Sequence, residues 1–333
     1  MSAAPILVHF ALLNEAQQSW EGINNLCRQQ EILKRFGTGF TLEENPAAAA
    51  MIVFLESNNY KNWRHIPALL EDKLVRAHPE KCYTLNYRAN PVDFFPGVYT
   101  SLARSRQRAD WSRPGGYYIG NPNPWASEYE NRPWQPKYLF SFRGAMSHPV
   151  RRRILALTPH WPGNPIHWVD RWFNHSEPEQ REYLEEIADS QFVLCPRGIA
   201  TSSHRLYEVM RLGRVPVILS DDWSPPQGPD WASFSVTIPE RELDSFPARL
   251  RALTDAAPAM GLRAHETWKQ WFSTEALLRR QLIELGNLAE QRRALTPPNY
   301  AKLWNSRSFY KRHRWLPTQR VLARLRRLTG PQH

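Results

Sequence analysis

Cysteine is scarce in this 333-residue chain: Cys27, Cys82 and Cys195 lie far apart and form no Cys-x-x-Cys pair. That excludes a zinc ribbon and a dithiol redox motif. An odd, low count also suits a reducing compartment better than a disulfide-stapled secreted fold. There is no Asp-x-Asp motif, and the 11 histidines include no His-Glu-x-x-His pair and no close His/Cys cluster, so no metal site is expected. No apolar run approaches the roughly 18 residues that a membrane span needs. The apolar start of the chain has no basic residues before it and is broken by Asn14 and Glu15, which is wrong for a secretory signal. A cytoplasmic protein is expected, peripheral at the inner membrane face if anything attaches it. Glycine pairs are equally unhelpful: Gly37 and Gly39 follow a helical pattern and lack a third glycine, so they make no dinucleotide fingerprint. Finally, residues 291–333 contain no Asp or Glu at all.

That last absence locates the charge. The net charge of +11 comes from 43 basic and 32 acidic residues. The 11 Lys and Arg of residues 291–333 account for the whole excess, and residues 1–290 hold 32 of each sign. A basic tail attaches to anionic surfaces, membrane or nucleic acid. Within it, a helix over 316–328 would carry Val321, Leu322, Leu325 and Leu328 on one face, flanked by Arg320, Arg324 and Arg327, with Trp315 as an interfacial anchor. An anionic membrane surface met through 311–328 is therefore one expected partner. The competing reading packs this helix on the body of the protein.

Hydrophobic content of 42% and charged content of 23% are ordinary for a globular protein. Strand and helix patterns alternate. Strands are expected at Pro5 to Ala11, Ala50 to Leu55 and Cys82 to Tyr87, with helices at Glu15 to Phe36 and Ile66 to Ala77. After a Gly-, Pro- and Trp-rich stretch at 108–136 the alternation resumes from Tyr138. This predicts two α/β units with parallel sheets, 1–130 and 131–290, followed by the basic tail 291–333.

The most informative stretch is Asp189 to Pro226, DSQFVLCPRGIATSSHRLYEVMRLGRVPVILSDDWSPP. It reads strand, loop, helix, strand, a βαβ crossover of about 30 residues. Its helix opens with hydroxyls and an arginine among free backbone N–H groups, a place for a phosphate or diphosphate. Cys195 at the strand end is read as structural rather than as a catalytic thiol.

CPRG, TSSHRLYEVM and GRVPVILSDDW together resemble the signature of the exostosin-type glycosyltransferases. ENPAAAAMIVFLES and KYLFSFRGA followed by RRRIL are weaker echoes of the same family. The resemblance covers roughly residues 40–270. It implies a GT-B-like fold, two Rossmann-type domains facing a cleft. It also implies an enzyme that moves a sugar from a nucleotide-diphosphate donor to a glycan or lipid-linked acceptor, with the nucleotide sugar as co-substrate and no cofactor.

A leaving diphosphate needs its developing charge stabilised by a metal or by fixed cations. Without metal-ligand spacing, the expected solution is metal-independent. Arg205, one turn into the helix behind Ser202 and Ser203, is the leading ligand. Arg143 beside Gly144, and Arg197 beside Gly198, follow strands and are further candidates. Glu208 shares a face with Arg205 and suits a ribose diol, a role the resemblance also implies. Its alternative is an ion pair with Arg205 or Arg211. Ser220, Asp221 and Asp222 can reach the donor or form a turn. An inverting transfer also needs a base near the acceptor hydroxyl. Glu15, Glu56 and Asp93 follow predicted first-domain strands and are the candidates, each with the alternative of a solvated loop charge. The competing function is a non-catalytic nucleic-acid-binding protein that uses the tail. A third reading is a degenerate transferase that binds sugar or nucleotide without transfer, and the intact Ser202, Arg205 and Glu208 set argues against that one.

Overall fold

The computed structural model describes residues 4–13, 20–37, 39–56, 65–116, 123–130, 132–170 and 175–313. In the first unit β1 (Ile6–Ala11), α1 (Trp20–Phe36), β2 (Phe40–Leu42), β3 (Met51–Glu56), α2 (Ile66–Glu71), α3 (Lys73–Ala77), β4 (Cys82–Asn86), β5 (Gly97–Tyr99) and β6 (Ser112–Pro114) follow one another. The sheet order is β2-β1-β3-β4-β5-β6, and every pair is parallel. All residues of β3 and β4 are buried, which is why both read as mostly apolar without alternation. The single helix expected over Ile66 to Ala77 is two. Asp72 takes extended dihedrals, and its carboxylate accepts from the amides of Leu74 and Val75. The chain thus stops one helix and caps the next at that residue.

The second unit runs β7 (Tyr138–Gly144), α4 (Pro149–Leu157), β8 (Ile166–Trp168), α5 (Glu177–Ala188), β9 (Ser190–Pro196), α6 (His204–Arg211), β10 (Val215–Leu219), β11 (Val236–Thr237) and α7 (Phe246–Ala252). Its order, β11-β10-β9-β7-β8, is again wholly parallel. In both sheets the first strand lies between the second and the third. Each therefore has a topological switch point, between β1 and β3 and between β7 and β9, where the carboxyl ends of the strands leave a crevice for ligands. Two such Rossmann-type units give the GT-B-like α/β architecture.

After α8 (Ala257–Trp271) the chain crosses back. Leu277, Leu282 and Leu285 of α9 (Thr274–Arg292) share a core with Val8, Val53 and Val98. The Tyr87 hydroxyl donates to Gln281 Oε1 at 2.9 Å. α10 (Tyr300–Asn305) and α11 (Arg307–Arg312) place Tyr300, Trp304 and Phe309 in a second first-unit core with Phe54, Phe94, Phe95 and Trp111. The tail expected from 291 onward is corrected on this point. Through His313 the chain is docked on the first unit by large buried aromatics, and residues 314–333, which include the proposed membrane helix, lie outside the described residues.

Candidate active site

At the β7–β9 switch point, the end of β7 supplies Arg143 and Gly144 and the end of β9 leads through Arg197 and Gly198 into α6. Arg205 is 8% exposed. One of its terminal nitrogens donates to the carbonyl of Arg143, and its guanidinium carbon sits 4.7 Å from the centre of the Phe142 ring. Its Nε and Nη1 are buried with no hydrogen-bond partner. Ser202 Oγ and Arg197 Nε share that condition. Four buried donors on the loop and first turn of one helix are thus left without acceptors. Ser203 is the N-cap residue of α6, yet its side chain makes no capping bond.

The glycines explain how the arginines fit. A Cβ on Gly144 would lie 2.9 Å from Arg205 Nη2, and one on Gly198 would lie 2.7 Å from Ser147 Oγ and 3.2 Å from Arg151 Nη2. Arg151, which the sequence reading missed, clamps both loops by donating to the carbonyls of Ala145, Pro196 and Arg197. Burial and the neighbouring Arg205 charge lower its pKa to about 9. Two guanidiniums held this close in a dry place favour an anion between or beside them.

Arg143 is corrected as a phosphate ligand. Its guanidinium donates twice to Glu186, at 2.8 and 2.7 Å, and also pairs with Glu182 at 2.8 Å. Those hydrogen bonds raise its pKa, and its charge is already neutralised. What it offers the site is its backbone carbonyl.

Glu208 is half-buried, and among the described residues it forms no ion pair with Arg205 or Arg211. Arg211 instead bonds Glu130 at 2.5 Å. The Tyr183 hydroxyl donates to Glu208 Oε2 at 2.5 Å. Burial raises the Glu208 carboxyl, against the pull of Tyr183, Arg205 and Arg211. Glu208 lines a cavity of about 40 Å³ between the units, with Arg28 of α1, Asn123 of the connection, Arg211 and Trp268. Ser220 and Asp222 serve the frame. Ser220 Oγ donates to the Thr201 carbonyl, Thr201 Oγ1 donates to Ser101, and Asp222 accepts from Ser105 of the first unit. Asp221 and Glu240 cap each other's backbone amides. Cys195 is buried and burial pushes its thiol up to about 12, so it is structural.

The first unit holds the candidate bases. Glu15 lies outside the described residues. Asp93 is corrected: it is not a solvated loop charge, and its carboxylate is already engaged by three side chains. Its side chain is 0% exposed and lies among Arg108 (3.1 Å), His313 (2.5 Å) and Arg312 (3.5 Å). The sequence could not show that partners 15 and more than 200 residues away enclose it. Glu56 ends β3 at the other switch point, 2% exposed, and bonds His65 at 2.7 Å. Its surroundings correct the alternative of a solvated charge as well. Among the described residues no group of three or more His, Cys, Asp or Glu side chains is placed to hold a metal ion.

Residues 97–253 match the Exostosin GT47 domain family model. An Exostosin-1 homolog of Caenorhabditis elegans is 39% identical over 79 residues, 23% of this chain and 21% of that protein. A probable glycosyltransferase of Arabidopsis thaliana is 29% identical over 151 residues, 44% of this chain and 25% of that protein. A solved glycosyltransferase structure from Rickettsia africae ESF-5 aligns at a TM-score of 0.44 and 10% identity, over 86% of this chain and 99% of that one. The matches to these two curated relatives span a quarter or less of their length. The family match runs from β5 to the segment just after α7 and includes every residue placed around Arg205. On that match, residues 97–253 are similar to the exostosin-type glycosyltransferases.

Proposed function

We propose that the chain transfers a sugar from a nucleotide-diphosphate donor to a glycan or glycolipid acceptor, with inversion and without a metal. The observation that carries this reading is the set of unpartnered buried donors on Ser202, Arg197 and Arg205. A buried donor without a partner costs about 1–3 kcal/mol, and the oxygens of a diphosphate would satisfy several at once. In this reading the diphosphate rests against the start of α6, and Arg205 takes the charge that develops as the bond from the sugar C1 to the diphosphate oxygen breaks. The acceptor oxygen bonds to C1 from the opposite face and loses its proton to a first-unit base. Arg151 holds the two loops, Gly144 and Gly198 leave room for the guanidiniums, and Glu208 beside the inter-unit cavity accepts from the ribose hydroxyls. No helix of the described residues is long and apolar enough to cross a membrane. A lipid-linked acceptor would instead be met through the basic residues after His313.

Arg205→Ala tests the reading. It should cut turnover about a hundredfold, the order of 3 kcal/mol expected for one charge-assisted ligand of the transition state. The melting temperature without ligand should stay near that of the wild type, and the rise produced by UDP or GDP should disappear. A variant keeping more than about a third of wild-type turnover would show that the diphosphate lies elsewhere.

A further inference from the structure

The first unit carries a second group of unsatisfied polar atoms. Glu56 of β3 and Asn86 of β4 are register partners in the parallel sheet, so their side chains leave the same face. Both are almost fully buried, at 2% and 0% exposure. Arg88 Nη1 lies 2.7 Å from His65 Nδ1. Arginine can only donate, so Nδ1 is the acceptor and the imidazole proton is on Nε2. That proton is given to Glu56 Oε2 at 2.7 Å. Glu56 Oε1 is left buried with no hydrogen-bond partner. The Arg88 amide donates to Asn86 Oδ1 at 3.1 Å, and Asn86 Nδ2 is likewise buried and unpartnered. An open acceptor beside an open donor is the complement of one hydroxyl group, which both donates and accepts.

The location fits a substrate. β3 flanks the first unit's switch point, where ligands enter such sheets. The register row continues from Asn86 to Tyr99 of β5, about 10 Å from Glu56 at two strand spacings. Two residues on, the Ser101 carbonyl accepts from Thr201, the neighbour of Ser202. The pair thus sits on the sheet edge that meets the diphosphate pocket. Burial pushes the Glu56 carboxyl up, but the hydrogen bond from His65, the charge of Arg88 and the Thr84 hydroxyl outweigh it and hold the group below its ordinary value. It is ionised at neutral pH and able to take a proton.

We propose that Glu56 Oε1 and Asn86 Nδ2 clamp the reacting hydroxyl of the acceptor, with Glu56 as the general base and His65 and Arg88 as positioning residues. The inference rests on the transferase reading above. As the acceptor oxygen bonds to C1 its proton passes to Glu56 Oε1, and the bonding pair of the breaking C1–O bond leaves with the diphosphate toward Arg205. A bridging buried water is the alternative occupant.

Turnover is read as nucleoside diphosphate released from UDP- and GDP-sugars with octyl glycosides as acceptors, using the pair the wild type accepts. Glu56→Gln should lower kcat at least about a hundredfold, with donor KM and the UDP- or GDP-induced rise in Tm unchanged. His65→Gln should move the acid limb of the kcat profile to higher pH, a shift that a structural role would not produce. If Glu56→Gln loses its cooperative melting transition, Asn86→Ala decides, with an acceptor KM raised about tenfold and donor binding intact. Glu56→Gln turnover above about a third of wild type, an unmoved acid limb, or an unchanged acceptor KM in Asn86→Ala would each overturn the clamp and leave the bridging water. An inactive Arg205→Ala beside an active Glu56→Gln defeats this inference alone. Two active variants would also place the diphosphate elsewhere, and a wild type that releases no nucleoside diphosphate from any donor and acceptor pair defeats the transferase reading itself.

Discussion

The proposed donor site is built as much from what two positions lack as from what its arginines bring. Gly144→Ala would put a methyl group 2.9 Å from Arg205 Nη2. Buried guanidiniums tolerate little displacement, so donor affinity should fall about tenfold while the fold survives, and titration with UDP or GDP by calorimetry checks it. Glu208 presents the opposite balance. Its folded-state pKa is raised above the ordinary 4.5, chiefly by burial. Folding therefore disfavours its charged form; the cost is present above the folded value and vanishes as pH falls below about 4.5. Glu208→Gln should raise Tm by a few degrees at pH 8, show a much smaller gain at pH 4, and weaken nucleoside diphosphate binding. Equal gains at both pH values would show that the carboxylate's charge is not the cause. Arg205 was legible in the sequence because hydroxyls, arginine and helix start are contiguous. Arg143 looked equally free, since Glu186 lies 43 residues on and nothing local announces the pair.

Among the elements, buried strands, long helices and the short β8 (Ile166–Trp168) could be read from the sequence, whereas β2, β5 and β6 could not. β3 and β10 each hold five apolar residues in a row and β4 is buried throughout, enough to declare a strand. β2, β5 and β6 are three residues each, too short for any period, and they exist because neighbouring strands offer their edges. α10 and α11 escaped for another reason: six residues each, too short to show a helical period, they are fixed by aromatics inserted into a distant core. Asp93 shows what that docking does. Its buried carboxylate ties Arg108 to Arg312 and His313. Removing one partner of such a buried cluster leaves uncompensated charge, so Asp93→Ala should cost about 3–5 kcal/mol in guanidinium chloride unfolding. A loss below about 1 kcal/mol would mean that the aromatics alone hold the segment.

At the scale of the whole molecule the two α/β units followed from the alternation of strand and helix, and the return of the chain to the first unit did not. Hydrophobic helices such as α9 carry no mark of which core they join; the contacts with Val8 and Val53 decide it. This changes where the basic tail begins. A chain ending at Pro297 would lose Tyr300, Trp304 and Phe309 from the first-unit core and should melt well below the full chain. One ending at His313 keeps that core and the Asp93 cluster and should melt with the full chain. The shorter version is thus unsuitable for testing attachment, and the longer one isolates residues 314–333. That segment has five arginines and no acidic residue. Each charge near an anionic bilayer contributes about 1 kcal/mol. The full chain should therefore float with vesicles rich in phosphatidylserine at low salt, release as salt rises, and ignore neutral phosphatidylcholine vesicles. The version ending at His313 should float with neither. Equal flotation of the two would place the attachment on the folded body, and none on anionic vesicles would remove the membrane from the account of how an acceptor is met.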